Sequence, residues 1–321
     1  MTDCILTRRG DVTVPMENFW FTGAEAPISK TRRTAQLYNG KIYCPLDSSP
    51  EIQIYDIANN SWETSASASA SIYRYTSQLY DGKIYCPAGN GARMQIYNIS
   101  EDTWTNGTNA PASVYRYTSQ LYDGKIYCPQ DNGTAMHIYN ISDNSWATGT
   151  PSPASVSRWT SQLYDGKIYC PQHNGTAMHI YNIADDLWET GATAPTSIGR
   201  YNSQLYDGKI YTAASGSSNG KAIHIYDIAD DLWTSGTPAP ANTTRFTSQL
   251  YNGKIYYPSD MSVGGAALHI YDIANDSWIT GPLAPVASYR YTSVLYNSKI
   301  YCPHGMSKAM HIYVISGKIV L

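Results

Sequence analysis

The sequence predicts an all-β fold, a seven-bladed β-propeller of four-stranded antiparallel blades, and three observations carry that expectation. The run Gln-Leu-Tyr-Asp-Gly-Lys-Ile-Tyr recurs seven times in near-identical form, with its leucine at Leu37, Leu79, Leu121, Leu163, Leu205, Leu250 and Leu295. The spacing is 42 residues four times and then 45 twice, which fits one propeller blade and is too long for a leucine-rich repeat. Seven tryptophans, Trp20, Trp62, Trp104, Trp146, Trp188, Trp233 and Trp278, count seven outer strands.

The unit 113–150 shows the four elements in order. Strand A is expected over 115–122, where large and small side chains alternate, and Asp123-Gly124 is the two-residue signal of a tight hairpin with positive φ. Strand B follows as Lys125-Ile126-Tyr127-Cys128, and Pro129, lacking an N–H, is expected to end it before the polar loop 130–134. Met136-His137-Ile138-Tyr139-Asn140-Ile141 reads as strand C and Asp143-Asn144-Ser145 as a turn. Trp146 then opens strand D, which runs out in the proline-containing loop 151–154. No helix signal intervenes.

A blade has two half-apolar faces, and closing the ring covers both. Trp20 precedes the first hairpin, whereas the last unit ends without a tryptophan of its own. This phase shift predicts that an N-terminal strand around Trp20 completes the last blade. The chain then divides into an extension, 1–15, and a single propeller, 16–321. Cys4-Ile5-Leu6 and Ile319-Val320-Leu321 are apolar runs suited to an extra edge strand, and an attachment peptide for a larger assembly is the alternative.

Net charge is −3 and the pI near 6.1, which argues against duplex nucleic acid held by phosphate neutralisation. No apolar run reaches bilayer length, so no transmembrane segment is expected, and residues 1–10 lack the apolar core of a secretory signal peptide. The expected location is cytoplasmic, or in a virion or other particle assembled in the cytoplasm. Cys44, Cys86, Cys128, Cys170 and Cys302 share one position in five repeats, on sheets about 10 Å apart, too far for a disulfide. They are expected as packed, reduced thiols. No metal-ligand spacing occurs, and no cofactor is expected.

Across nearly its whole length the chain resembles kelch-repeat propellers. The residues that carry the likeness in one repeat are Arg116, Gly124-Lys125-Ile126-Tyr127, Tyr139 and Trp146. The departure is at the end of strand B, where five repeats have Cys-Pro in place of the family's two glycines. The resemblance implies a seven-bladed binding platform with ligand-contacting loops on one face, and arginines near the channel mouth of which some meet acidic groups of peptides.

The repeats differ from one another mainly in the loop after strand B and in the residues before the strand-A arginine. Strand alternation places both loops at the same end of the blade, so variation concentrates on one face. Candidate ligand-binding residues on that face are Arg74, Arg116, Arg158, Arg200, Arg245 and Arg290, with the aromatic residues Tyr117, Trp159 and Tyr201 that follow three of them. Tyr73, Tyr115 and Tyr289, and the loop histidines His173 and His304, join them. A guanidinium suits carboxylate or phosphate and the adjacent aromatics offer stacking surfaces. A residue present in every blade also suits a job every blade needs, such as bonding a loop carbonyl, which leaves two or three arginines for a ligand. Tyr257 is expected on the same face. His137, His179, His224, His269 and His311 share a strand-C position with Gln53 and Gln95, which points to a common hydrogen bond.

No nucleophile–base order, paired carboxylates or phosphate loop emerges. The leading expectation is a non-enzymatic recognition or scaffold propeller binding a protein or glycan through the loops after strands B and D, as a component of a larger assembly such as a phage or virion appendage. The alternatives are a kelch-like enzyme acting on a sugar at the channel mouth and a purely architectural ring.

Overall fold

Asp123 and Gly124 take φ of 46° and 67°, the left-handed values a two-residue hairpin turn needs at both positions. The hairpin they close pairs Gln120–Tyr122 with Lys125–Pro129, which pairs with Met136–Asn140, which pairs with Ser145–Gly149. The same order, A-B-C-D, gives seven four-stranded antiparallel sheets, a seven-bladed β-propeller. This computed structural model describes residues 5–6, 12–214, 220–242, 245–258, 266–287 and 289–320, with the backbone alone for 5–6, 12–16 and 317–320.

Strand A is shorter than the alternation suggests, three residues in each blade. Residues just ahead of it turn their hydroxyls sideways to the next blade, as in Thr118 Oγ1 to Ser161 Oγ at 2.7 Å, and so leave the ladder. Pro129 ends strand B as its last paired residue, opposite Met136, not as a break before the end.

The core lies between blades. Tyr127 and Met136 of one blade pack against Ile168, Cys170 and Tyr181 of the next. The five repeat cysteines are unpaired and buried, and burial pushes the Cys128 thiol up to about 12. At the outer seam Asn144, at φ 54°, accepts the Tyr139 hydroxyl (2.7 Å) and the Thr108 N–H of the preceding blade (2.9 Å). Trp146 Nε1 donates to Thr108 O at 2.9 Å. Gly107 permits this approach, since a Cβ there would lie 2.9 Å from the Tyr139 hydroxyl.

The ring closes as the tryptophan phase implies. Phe19–Gly23 pairs with Met310–Val314 as the outer strand of blade seven, Trp20 packs 5.2 Å from Tyr313, and its Nε1 donates to Pro282 O at 3.1 Å. At the other seams a strand-A glutamine donates to the next blade's serine, as Gln120 does to Ser161. At the closing seam both partners are replaced, by Val294 and Ala35, which join one apolar cluster. Replacing both members of a hydrogen-bonded pair leaves nothing unsatisfied. Val12–Met16 lies between Ile5–Leu6 and Gly317–Val320 in a three-stranded sheet of the two chain ends. Cys4 and Leu321 lie outside the described residues.

Candidate functional site at the channel mouth

The hydroxyl and amide bonds between successive strands A place those strands around the axis. One residue earlier in each blade stands Arg33, Tyr75, Tyr117, Trp159, Tyr201, Phe246 or Tyr291, and these seven line a cavity of 280 Å³. Ring centroids are 4.7 Å apart for Tyr75–Tyr117, 4.8 Å for Tyr117–Trp159 and Trp159–Tyr201, 4.7 Å for Tyr201–Phe246 and 5.0 Å for Phe246–Tyr291. The Arg33 guanidinium closes the circuit, 5.0 Å from both Tyr291 and Tyr75. A regular heptagon with such sides has a circumradius of about 5.6 Å, so the paddles narrow the mouth to the size of a side chain or one sugar ring.

Four of them meet the loop after strand B of their own blade, fourteen positions on. Arg33 Nε donates to Asp47 Oδ2 at 3.0 Å. Trp159 stacks on His173 at 4.4 Å. A Cβ on Gly89 or Gly305 would come within 2.4 Å of the Tyr75 or Tyr291 ring, so glycine makes room for the paddle. Next to Tyr117, Asp131 Oδ1 accepts the Arg158 N–H at 2.8 Å, and burial raises its carboxyl pKa.

The arginine expectation is corrected. Arg74, Arg116, Arg158, Arg200, Arg245 and Arg290, with Arg32, are at most 1% exposed, so none is left over to face a ligand. Each reaches neighbouring carbonyls: Arg158 donates to Gln130 O (3.0 Å), Gly133 O (2.7 Å) and Ala154 O (3.0 Å), and to His179 Nδ1 (2.8 Å). Arg116, Arg200, Arg245 and Arg290 meet His137, His224, His269 and His311 in the same way. In the first two blades Arg32 and Arg74 meet Gln53 and Gln95 instead. Each guanidinium also lies over the outer-strand tryptophan, 5.3 Å from Trp188 for Arg158. Burial lowers the pKa values of Arg32, Arg74, Arg116 and Arg158, and those of Arg200 and Arg245 to about 10.

The aromatic candidates divide into tiers. Tyr117, Trp159 and Tyr201 belong to the inner ring. Tyr73, Tyr115 and Tyr289 form an outer tier, 5.9, 5.9 and 5.8 Å from Tyr75, Tyr117 and Tyr291, with Tyr73 and Tyr115 exposed by 45% and 43%. Tyr257 is not on the face: it fills a cysteine position, fully buried, against Arg245 and Trp278. His173 is buried, its Nδ1 accepting the Arg200 N–H at 3.1 Å. His304 pins its own loop, Nδ1 accepting from Met306 and Ser307 N–H at 2.9 and 3.0 Å. Burial and the neighbouring arginines push it down to about 4. His173 thus backs Trp159 at the mouth, and His304 holds the loop whose Gly305 makes room for Tyr291. Arg33 and Asp47 were not among the candidates. The signal was the exception at Arg33, where the other six repeats carry an aromatic.

Among the described residues no group of three or more His, Cys, Asp or Glu is placed to hold a metal ion, and no helix is long and apolar enough to cross a membrane. No protein-family model and no curated protein matches the chain. Solved structures do. YCF48 bound to D1 peptide superposes with a TM-score of 0.73 at 13% identity, over 92% of this chain and 95% of that one. Virginiamycin B lyase from Staphylococcus aureus gives 0.76 at 9% identity, over 94% and 100%. A chain of a mitotic checkpoint complex gives 0.68 at 13%, over 90% of each. At these identities the likeness is one of fold, the β-propeller.

Proposed function

We propose that the protein is a non-enzymatic recognition propeller that binds an extended segment of a protein partner across the loop face, with the channel mouth as its anchor. The observation that carries this reading is the closed ring of six aromatics and Arg33, ringed by the exposed Tyr73 and Tyr115. Stiff aromatic side chains give contact area at low entropic cost, and they dominate binding hot spots. The five strand-C histidines are tied as acceptors of buried arginines, and His173 and His304 as acceptors of backbone N–H groups. Two of the fold neighbours are seen with a peptide or within a protein complex, which supports the choice of a protein over a glycan. The repeat is read as a kelch-like variant. The three-stranded sheet of the chain ends is read as the point of attachment to a larger assembly, such as a virion appendage.

The test is a peptide array and a glycan array probed with the full chain, followed by titration of the best binder. Trp159→Ala and Tyr117→Ala should each weaken peptide binding about tenfold or more with the thermal transition retained. Unchanged binding in both would remove the mouth as the site; a glycan binder with no peptide binder would replace the ligand class.

A further inference from the structure

Arg33 is the one ring member that is not aromatic, and its hydrogen bonding is incomplete. Its Nε donates to Asp47, its two faces are covered by Tyr75 and Tyr291, and neither terminal nitrogen has a partner among the described residues. The side chain is 37% exposed. Arg32, next to it in the chain, is fully buried, with Nε and both terminal nitrogens bonded to Gln53 and to carbonyls. With its faces and Nε occupied, Arg33 has only the edge between its terminal nitrogens left, and that edge matches the two oxygens of a carboxylate.

Resting on the recognition reading above, we propose that Arg33 is the carboxylate-binding position of the mouth, and that the bound protein segment presents an aspartate or glutamate side chain there. Arg33 is the one cation of the seven ring residues and is half-neutralised by Asp47, which suits a singly charged carboxylate better than a phosphoryl group carrying nearly two charges. Aromatic edges, positive in the ring quadrupole, add to the preference. The position also orients the ligand. Six aromatic sites related by a pseudo-sevenfold axis would accept a segment in several rotations, and a single guanidinium selects one. Asp47 is a positioning residue: it holds Nε while its charge opposes an incoming carboxylate.

The experiment uses the intact chain and paired decapeptides taken from array binders, identical except for glutamate or glutamine at one position, with affinity read by fluorescence anisotropy. The wild type should prefer glutamate about tenfold, less at high salt. Arg33→Gln should erase the preference, Arg33→Lys should keep part of it, and Asp47→Asn, which keeps an acceptor for Nε but drops the charge, should tighten the glutamate peptide severalfold. A preference that survives Arg33→Gln, or Arg33→Gln and Asp47→Asn weakening both peptides alike, as loss of a structural ion pair would, overturns the proposal. So does Arg33-dependent binding of an oligogalacturonate in place of any peptide. Trp159-dependent binding that is indifferent to glutamate sinks the Arg33 assignment and spares the mouth; no Trp159-dependent binding at all sinks the mouth itself.

Discussion

A buried arginine whose guanidinium bonds to no carboxylate is held by the number of its other hydrogen bonds. Arg158 meets four carbonyls, the Ser152 hydroxyl and His179, and lies over Trp188. Removing the side chain strands those acceptors in a dry site, at roughly 1–3 kcal/mol for each group left unsatisfied. Arg158→Ala should therefore cost about 3 kcal/mol or more in urea unfolding, whereas a change at the exposed Tyr115 should leave stability nearly unaltered. The sequence supplied half of this lock, because Gln53 and Gln95 standing where other repeats have histidine reveal a shared acceptor. Its donor could not be read, since Arg158 lies 21 positions before His179 and only the folded blade brings them together. His179→Gln should accordingly stay within about 1 kcal/mol of wild type.

At the scale of the strand and turn, local chemistry was the most legible. Asp-Gly, Asn-Gly and Asn297-Ser298 all give left-handed hairpin turns, and strands B, C and D fall where β-branched and aromatic residues lie. Strand A is shorter than its alternation suggests because that alternation serves a side-chain belt to the next blade, not a longer ladder. The outer turns hold blades together as well as reversing the chain. Asp186 Oδ1 accepts Thr150 N–H at 2.7 Å and the Tyr181 hydroxyl at 2.6 Å, and Asn144 does the same one blade earlier. Asp186→Asn should thus be nearly neutral, and Asp186→Ala should cost about 2 kcal/mol, both read from denaturant midpoints.

For the whole molecule, closure and protonation decide stability. The outer strand of blade seven comes from Phe19–Gly23, so deleting residues 1–25 should abolish or sharply lower the cooperative thermal transition; a truncated chain that melts like the intact one would contradict the closure. His137, His179, His224, His269, His304 and His311 are pushed down to about 4 from 6.5, first by burial and then by the adjoining arginines. A folded pKa below the unfolded one means that the unfolded chain takes up protons first as pH falls. The stabilisation is complete above about pH 6.5 and is lost progressively down to about pH 4. The melting temperature should fall steeply across that window, and His179→Gln should make the fall shallower. The variable face was legible in the sequence, but the buried state of the arginines and the exception at Arg33 became meaningful only when seven blades stood around one axis.

Under the proposed function this mouth, and not the opposite face of hairpin turns, meets the partner. Amide hydrogen exchange of the intact chain with and without its best array peptide tests it directly. Added protection is expected at 73–76, 115–118 and 157–160, and none at the Asp81-Gly82 and Asp123-Gly124 turns. Protection confined to those turns, or to the outer strands, would contradict it.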